Sequence, residues 1–279
     1  MVLLLITPTS SLNNNILSMH LSLEGKNAVI CGSTQGIGLA IAEELALLGA
    51  NCTLLARNEA ALKTAIQSLD IALRQQHNYL VADFSKPEDV KKVITAHVQQ
   101  YPVHILINNT GGPPAGSVLD AKEEDFLLAF NQHLICSHIL VQASLPSMKE
   151  ASYGRIINII STSIKIPITN LAVSGTVRGA VASWAKILSN EVAKYGITVN
   201  NILPGYTKTQ RIESIIAGNA KKKGLPESKI EEEMINEIPA RRFAEASELA
   251  AVAAFLASPA ASYVNGVSIP VDGGKTGAL

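Results

Sequence analysis

Seven short apolar runs alternate along this chain with stretches of helical spacing, and that alternation leaves few folds open. The runs are Asn27–Cys31, Asn51–Ala56, Tyr79–Ala82, Val103–Ile107, Gly154–Ile160, Ile197–Leu203 and Val267–Val271. Helical patterns cover Leu39–Leu48, Glu59–Leu73, Pro87–Val98, Lys122–Lys149, Leu171–Tyr195 and Ala246–Leu256. Short connections between strand and helix demand right-handed crossovers. The expected fold is α/β: a single-domain, Rossmann-type, doubly wound parallel sheet of about seven strands, with helices on both faces. Aromatic residues are only 4% of the chain and hydrophobic residues 47%, which suits a sheet buried on both faces. At 279 residues, one large domain is the natural reading.

The first strand–helix turn reads Ile30-Cys-Gly-Ser-Thr-Gln-Gly-Ile-Gly-Leu39. Gly32 permits the tight turn, Gly36 lets a pyrophosphate approach the backbone, and Gly38 lets helix pack on strand. The helix start then offers free N–H groups and a positive dipole end to phosphates. A close-packed turn without a ligand would read the same way. In a doubly wound sheet, ligands sit beyond the carboxyl ends of the strands, at the switch point. Polar residues and glycines cluster there: Gly32–Gly38, Arg57, Asp83, Asn108–Gly112, Ser161–Ser163 and Pro204–Thr209.

Arg57 ends the second strand, where an acid would hold a ribose 2′-hydroxyl and repel a 2′-phosphate. A guanidinium suits that phosphate by charge and by its fork of donors, so the expected cofactor is NADP(H) rather than NAD. A solvated surface arginine is the plainer alternative. Asp83 could accept a bond from an adenine amine, or could be a turn residue before Pro87.

Lys+Arg and Asp+Glu are equal at 23 each, so charge asks for neither a nucleic-acid nor an acidic-membrane partner. Cys31, Cys52 and Cys136 share no CxxC spacing and read as buried thiols of a reducing, cytoplasmic setting, with no metal site. His104, His133 and His138 show no ligand spacing and read as structural. Val2–Ile6 is too short to cross a membrane and lacks the basic start of a signal peptide. Residues 1–18 read as a flexible extension, and 19–279 as the folded domain.

With Asn108-Asn109-Thr110-Gly111, the chain resembles a short-chain dehydrogenase/reductase, most of all the 3-oxoacyl-[acyl-carrier-protein] reductase branch. The resemblance runs from about Leu21 to Gly274. Cys31–Gly38 stands for the family's Thr-Gly-x3-Gly-x-Gly, and Asn131, Ser161, Pro204-Gly205 and Asp272-Gly273-Gly274 match further marks. The resemblance implies an NADP(H)-dependent oxidoreductase acting on a carbonyl/hydroxyl pair, with a small carbonyl substrate such as an acyl thioester. It implies cofactor contacts at Gly32, Ser33, Thr34, Gln35, Gly36, Ile37, Gly38, Arg57, Asp83, Phe84, Asn109, Thr110, Gly111, Arg178, Pro204, Gly205 and Thr207. It also implies a substrate lid over 208–243 and a homotetramer built on the long helices and last strand.

The family's Tyr-x3-Lys pair should follow Ser161 by thirteen residues. That register holds Ser174-Gly-Thr-Val-Arg178. The spacing keeps both side chains on one helix face. A phenol near pKa 10 becomes a far weaker acid, and the lysine becomes a cation that cannot carry a proton. The catalytic set carried over is therefore Asn131, Ser161, Ser174 and Arg178, with Tyr206 and Lys165 as other conceivable proton donors. Two readings follow: a reductase with an altered proton donor, or a nucleotide-binding homologue with little redox activity and a regulatory or assembly role. Halohydrin dehalogenases keep the tyrosine and lose the glycine loop, the reverse of this chain.

Overall fold

The computed structural model describes residues 19–278. The extension expected over residues 1–18 lies outside them. Seven parallel strands form one sheet in the order β3-β2-β1-β4-β5-β6-β7. They are β1 (Asn27–Cys31), β2 (Asn51–Ala56), β3 (Asn78–Val81), β4 (Ile105–Asn108), β5 (Gly154–Ile159), β6 (Ile197–Pro204) and β7 (Ser268–Val271). The order reverses between β1 and β4, which opens the crevice where a doubly wound sheet binds its ligand.

Helices cover both faces. Alternate strand residues point to opposite sides, so each strand feeds two cores. On one side Ala28, Ile30, Cys52, Leu54, Ile105, Ile107 and Ile157 pack against α1 (Gly36–Leu47), α2 (Glu59–Ile66) and α9 (Ala246–Ala257). On the other, Val29, Cys31, Leu55, Leu106, Ile156 and Val199 meet α3 (Pro87–Val98), α5 (Cys136–Glu150) and α6 (Ala172–Val192). All three cysteines are free and buried within these cores. Desolvation by burial, helped by Asp83, pushes the Cys136 thiol up to about 12, so it stays protonated.

The helix expected over Lys122–Lys149 is one continuous rod of three parts. Helix α4 (Glu123–Phe130) passes into a π-turn, Asn131–Ile135, and then into α5. By length and composition Glu123–Glu150 is apolar enough to cross a membrane. Here it lies beside α3 and α6 and gives Cys136, Leu140, Val141 and Met148 to the core.

The helix expected over Glu59–Leu73 stops at Ile66. Beyond it, polar side chains take over the backbone. Asp70 Oδ1 accepts the Ala72 N–H, Gln75 Oε1 accepts the Leu73 N–H, and Gln75 Nε2 donates to Ala46 O. These bonds compete with the helical ladder and win.

Three buried amides cross the sheet side by side. Asn108 donates to Asn158 Oδ1 (2.9 Å), Asn158 to Asn201 Oδ1 (2.9 Å), and Asn201 to Ser268 Oγ (3.0 Å). Each pair is in direct register across β4, β5, β6 and β7. Residues 208–243 form a separate helix pair, α7 (Gln210–Lys223) and α8 (Glu227–Asn236), around its own apolar cluster of Ile212, Ile216, Ile230, Met234, Ile238 and Phe243.

Candidate active site and cofactor cleft

The glycine turn is held from above by Asn109. Its Nδ2 donates to Cys31 O (3.2 Å) and Gly32 O (3.1 Å), tying the end of β4 to the end of β1. A methyl at Gly32 would lie 2.6 Å from Asn109 O, and one at Gly38 would lie 2.7 Å from Asn109 Nδ2 and press on Gly32 O. Gly36 needs glycine for its backbone, at φ +57°. No side chain caps the start of α1, so its first N–H groups are free beside the turn. This uncapped helix start behind a glycine turn has the donors that fit a dinucleotide pyrophosphate.

The other expected cofactor contacts divide by what their side chains already do. Ser33 is fully buried and donates to Ile30 O (2.8 Å), so it shapes the turn from inside. Thr34, Gln35 and Ile37 are at least partly exposed along the helix start. Arg57 is exposed at the end of β2, next to Asn58, whose side chain caps α2 by accepting from Ala61 N–H (3.1 Å). Asp83 accepts the Ser85 N–H (2.9 Å), which is the turn role. That bond first, and the charges of Arg57 and Lys86 after it, hold its carboxyl below the usual range. Phe84 packs on the core, and its carbonyl accepts from Cys136 Sγ. Pro204 ends β6. Gly205 packs so tightly on Asp272 that a methyl would lie 2.6 Å from its Cα. Thr207 is 5% exposed and donates to Gly205 O.

The candidate catalytic residues come from three elements. Ser161 follows β5 and starts a 3-10 turn, Thr162–Ile164. Its Oγ accepts the Ser163 N–H (3.1 Å), which leaves the hydroxyl hydrogen to donate elsewhere. Asn131 opens the π-turn, and its carbonyl accepts the Cys136 N–H. Ser174 and Arg178 lie one turn apart on α6, both nearly buried. Arg178 Nε donates to Ser174 Oγ (3.1 Å), and Nη1 donates to Ile159 O (3.2 Å) and Ile160 O (2.6 Å). The arginine thus braces the end of β5, one residue before Ser161.

Tyr206 is not placed as an acid. Its ring meets Phe243 edge-on and Lys275 sits over its face, so it belongs to the helix pair. Burial raises its pKa. Lys165 is exposed, and its ammonium makes no salt bridge among the described residues. His104 accepts the Asn27 N–H and His138 packs edge-on against Trp184, both structural roles as expected.

His133 differs from them. It lies in the π-turn, 6% exposed, with Nδ1 2.6 Å from Thr110 Oγ1. Burial first, and the Arg178 charge second, push it down to about 3. It is a neutral, locked link between the β4 loop and the helix that carries Asn131. Sequence spacing could not single it out, because its partner Thr110 is a loop residue 23 positions away. Arg211 on α7 was equally hidden. Its Nη2 donates to Pro113 O (2.9 Å), over the same loop that Arg178 approaches. A cavity of about 550 Å³ at the opposite end of the sheet, between Lys26, Tyr153 and Arg155, shares none of these residues. Among the described residues no group of three or more His, Cys, Asp or Glu side chains is placed to hold a metal ion.

The family model described as Enoyl-(Acyl carrier protein) reductase matches residues 32–276. D-beta-hydroxybutyrate dehydrogenase of Cupriavidus necator is 32% identical over 257 residues, covering 90% of this chain and 98% of the relative. The 3-oxoacyl-[acyl-carrier-protein] reductase FabG of Pseudomonas aeruginosa is also 32% identical, covering 91% and 98%. Among solved structures, L-sorbose reductase from Gluconobacter frateurii, complexed with NADPH and L-sorbose, superposes with a TM-score of 0.88 at 31% identity, covering 94% of this chain and 100% of that one. With the doubly wound seven-stranded sheet, these matches show that the chain belongs to the short-chain dehydrogenase/reductase family.

Proposed function

We infer that this protein is an NADP(H)-dependent oxidoreductase that interconverts a carbonyl compound and its alcohol. The carrying observation is the uncapped α1 start over a turn in which Gly32 and Gly38 are sealed by Asn109. Such a floor admits a pyrophosphate and nothing bulkier from the protein itself. NADPH supplies the hydride when bound. Arg57 favours its 2′-phosphate, since no acid ends β2.

The chain's own residues then have separable tasks. Ser161, its Oγ already fixed by the Ser163 N–H, aims its hydroxyl at the substrate carbonyl oxygen. Ser174 supplies the proton. Its oxygen accepts from the Arg178 guanidinium, which acidifies the hydroxyl and leaves its hydrogen to donate. Arg178 keeps a fixed positive charge where negative charge develops on oxygen. Asn131 anchors the π-turn that holds His133 and Thr110 together. The α7–α8 pair over 208–243 acts as the substrate lid. A serine remains a poorer acid than a phenol, which favours a slow reductase and keeps the binding-protein reading as the contrasting outcome.

NADPH oxidation is measured against a panel of ketones, oxo acids and acyl thioesters. Turnover of any of them supports the assignment, and tight NADPH binding with none supports the binding-protein reading. The double variant Ser174→Tyr, Arg178→Lys should speed a generic ketone about 10²–10⁴-fold, the usual contribution of general acid catalysis. A folded, NADPH-binding double variant no faster than its parent refutes Ser174 as the proton donor.

A further inference from the structure

Arg178 is a charged side chain only 9% exposed, and its three hydrogen bonds use Nε and Nη1 alone. Nη2 donates to no protein atom among the described residues. It points at the Gly112 backbone, where a methyl would lie 3.3 Å from it and 3.7 Å from Arg211 Nη2. Two guanidiniums therefore converge on one glycine, and neither has an ion-pair partner among the described residues. Burial first and the Arg211 charge second hold Arg178 below the usual guanidinium range, at about 10. A buried cation beside a second cation is costly unless an anion joins them. Gly112 puts no side chain between the two Nη2 atoms; Arg211 Nη2 gives one of its two N–H groups to Pro113 O, and its other remains for a ligand.

We propose that Arg178 and Arg211 form a two-guanidinium seat for a carboxylate of the substrate, so that the carbonyl compound is a short oxo acid and the alcohol a hydroxy acid. The inference rests on the oxidoreductase reading and deepens it. A carboxylate matches the planar fork of a guanidinium and draws on Nη2 donors from both sides of Gly112. Arg178 holds Ile160 O, and Ser161 is the next residue, so the seat and the carbonyl-polarising hydroxyl are close in the chain. That closeness calls for few carbons between the oxo group and the carboxylate. Arg211 sits on α7, so an acid bridging it to Arg178 would also draw the lid onto the β4 loop.

The test is calorimetric binding of 3-hydroxybutanoate and of neutral 3-hydroxybutanamide to the full chain saturated with NADPH. Pairing an alcohol with reduced cofactor prevents turnover, so affinity is read without catalysis. The acid should bind about 10- to 100-fold more tightly than the amide, the span of a charge-assisted hydrogen bond. Arg211→Ala should bring the two within about threefold, and Arg211→Lys, which keeps the charge without the fork, should fall between. Equal binding of acid and amide by the parent overturns the seat. An Arg211→Ala protein that keeps the acid preference but loses NADPH affinity about tenfold also overturns it, assigning the pair to the cofactor's phosphates. If the parent binds no NADPH, the oxidoreductase reading falls by itself. The same acid–amide comparison on the cofactor-free chain then supports or overturns the seat independently.

Discussion

His133 gives this protein a pH-dependent stability whose size follows from its surroundings. In the unfolded chain a histidine titrates near 6.5. Folded, desolvation and the Arg178 charge hold it down to about 3. Above pH 6.5 both states carry it neutral and it contributes nothing. As pH falls through 6.5 the unfolded chain gains a proton that the folded protein refuses until about pH 3, so stability drops by about 1.4 kcal/mol per pH unit across that window. At pH 5 the loss is about 1.5 units, or roughly 2 kcal/mol, equivalent to about 4–8 °C in Tm for a domain of this size. The perturbation is His133→Asn, which keeps a polar atom near Thr110 Oγ1 and removes the titration. Any cost of the shorter side chain is independent of pH and cancels in the comparison. His97 and His104 are also lowered by burial and tilt the curve the same way, but both proteins retain them. Urea unfolding at pH 7, 6 and 5, at one protein concentration, should show the parent losing about 2 kcal/mol more than the variant between pH 7 and 5. Parallel profiles would refute a neutral His133 beside Arg178.

Arg57→Ala should lower NADP affinity about tenfold and leave NAD affinity unchanged, read by fluorescence titration; an unchanged ratio removes Arg57 from 2′-phosphate recognition. Gly38→Ala places a methyl against Gly32 O and Asn109 Nδ2, so it should cost about 1–3 kcal/mol of stability by urea unfolding and weaken NADPH about tenfold or more. A variant with parental affinity would mean that the turn does not carry the cofactor. The apolar residues Leu127, Leu128 and Ile135 on the α4–α5 rod and Ile187 on α6 are exposed, as an isologous interface would leave them in one subunit. Together with β7 they predict a homotetramer, and a monomer at micromolar concentration in sedimentation refutes it.

The parts of the site that are legible in the sequence are those made by neighbours in the chain. The glycine turn is readable because φ at Gly32 and Gly36 and contact at Gly38 are local demands. Strand positions are readable because parallel strands buried on both faces are continuous apolar runs. Helix α2 was overrun by seven residues because Gln75 and Asp70, not periodicity, decide where it stops. The π-turn at Asn131 has no compositional mark. The Arg178–Arg211 approach spans α6, the β4 loop and α7, so nothing in the spacing announces it. His133 is structural, as its spacing suggests, but its bond to Thr110 and its lowered pKa, from burial and Arg178 45 positions away, are not legible in the sequence.

The amide row Asn108–Asn158–Asn201–Ser268 solves a registration problem. Parallel strands have no hairpin to set their offset, and the stretches between these four positions run to 42 residues or more. Apolar neighbours would tolerate a slide of two residues, because every side chain would return to its own face. The amides would not: Asn108 moved by two would meet Ile156 or Ile160 instead of Asn158. Each amide left without its partner in that buried row would cost about 1–3 kcal/mol. The row stands just before Asn109, Ser161 and Gly205 in the chain. It therefore works as a common datum line, from which the clamp on the glycine turn, Ser161 and the loop that follows β6 are all measured off.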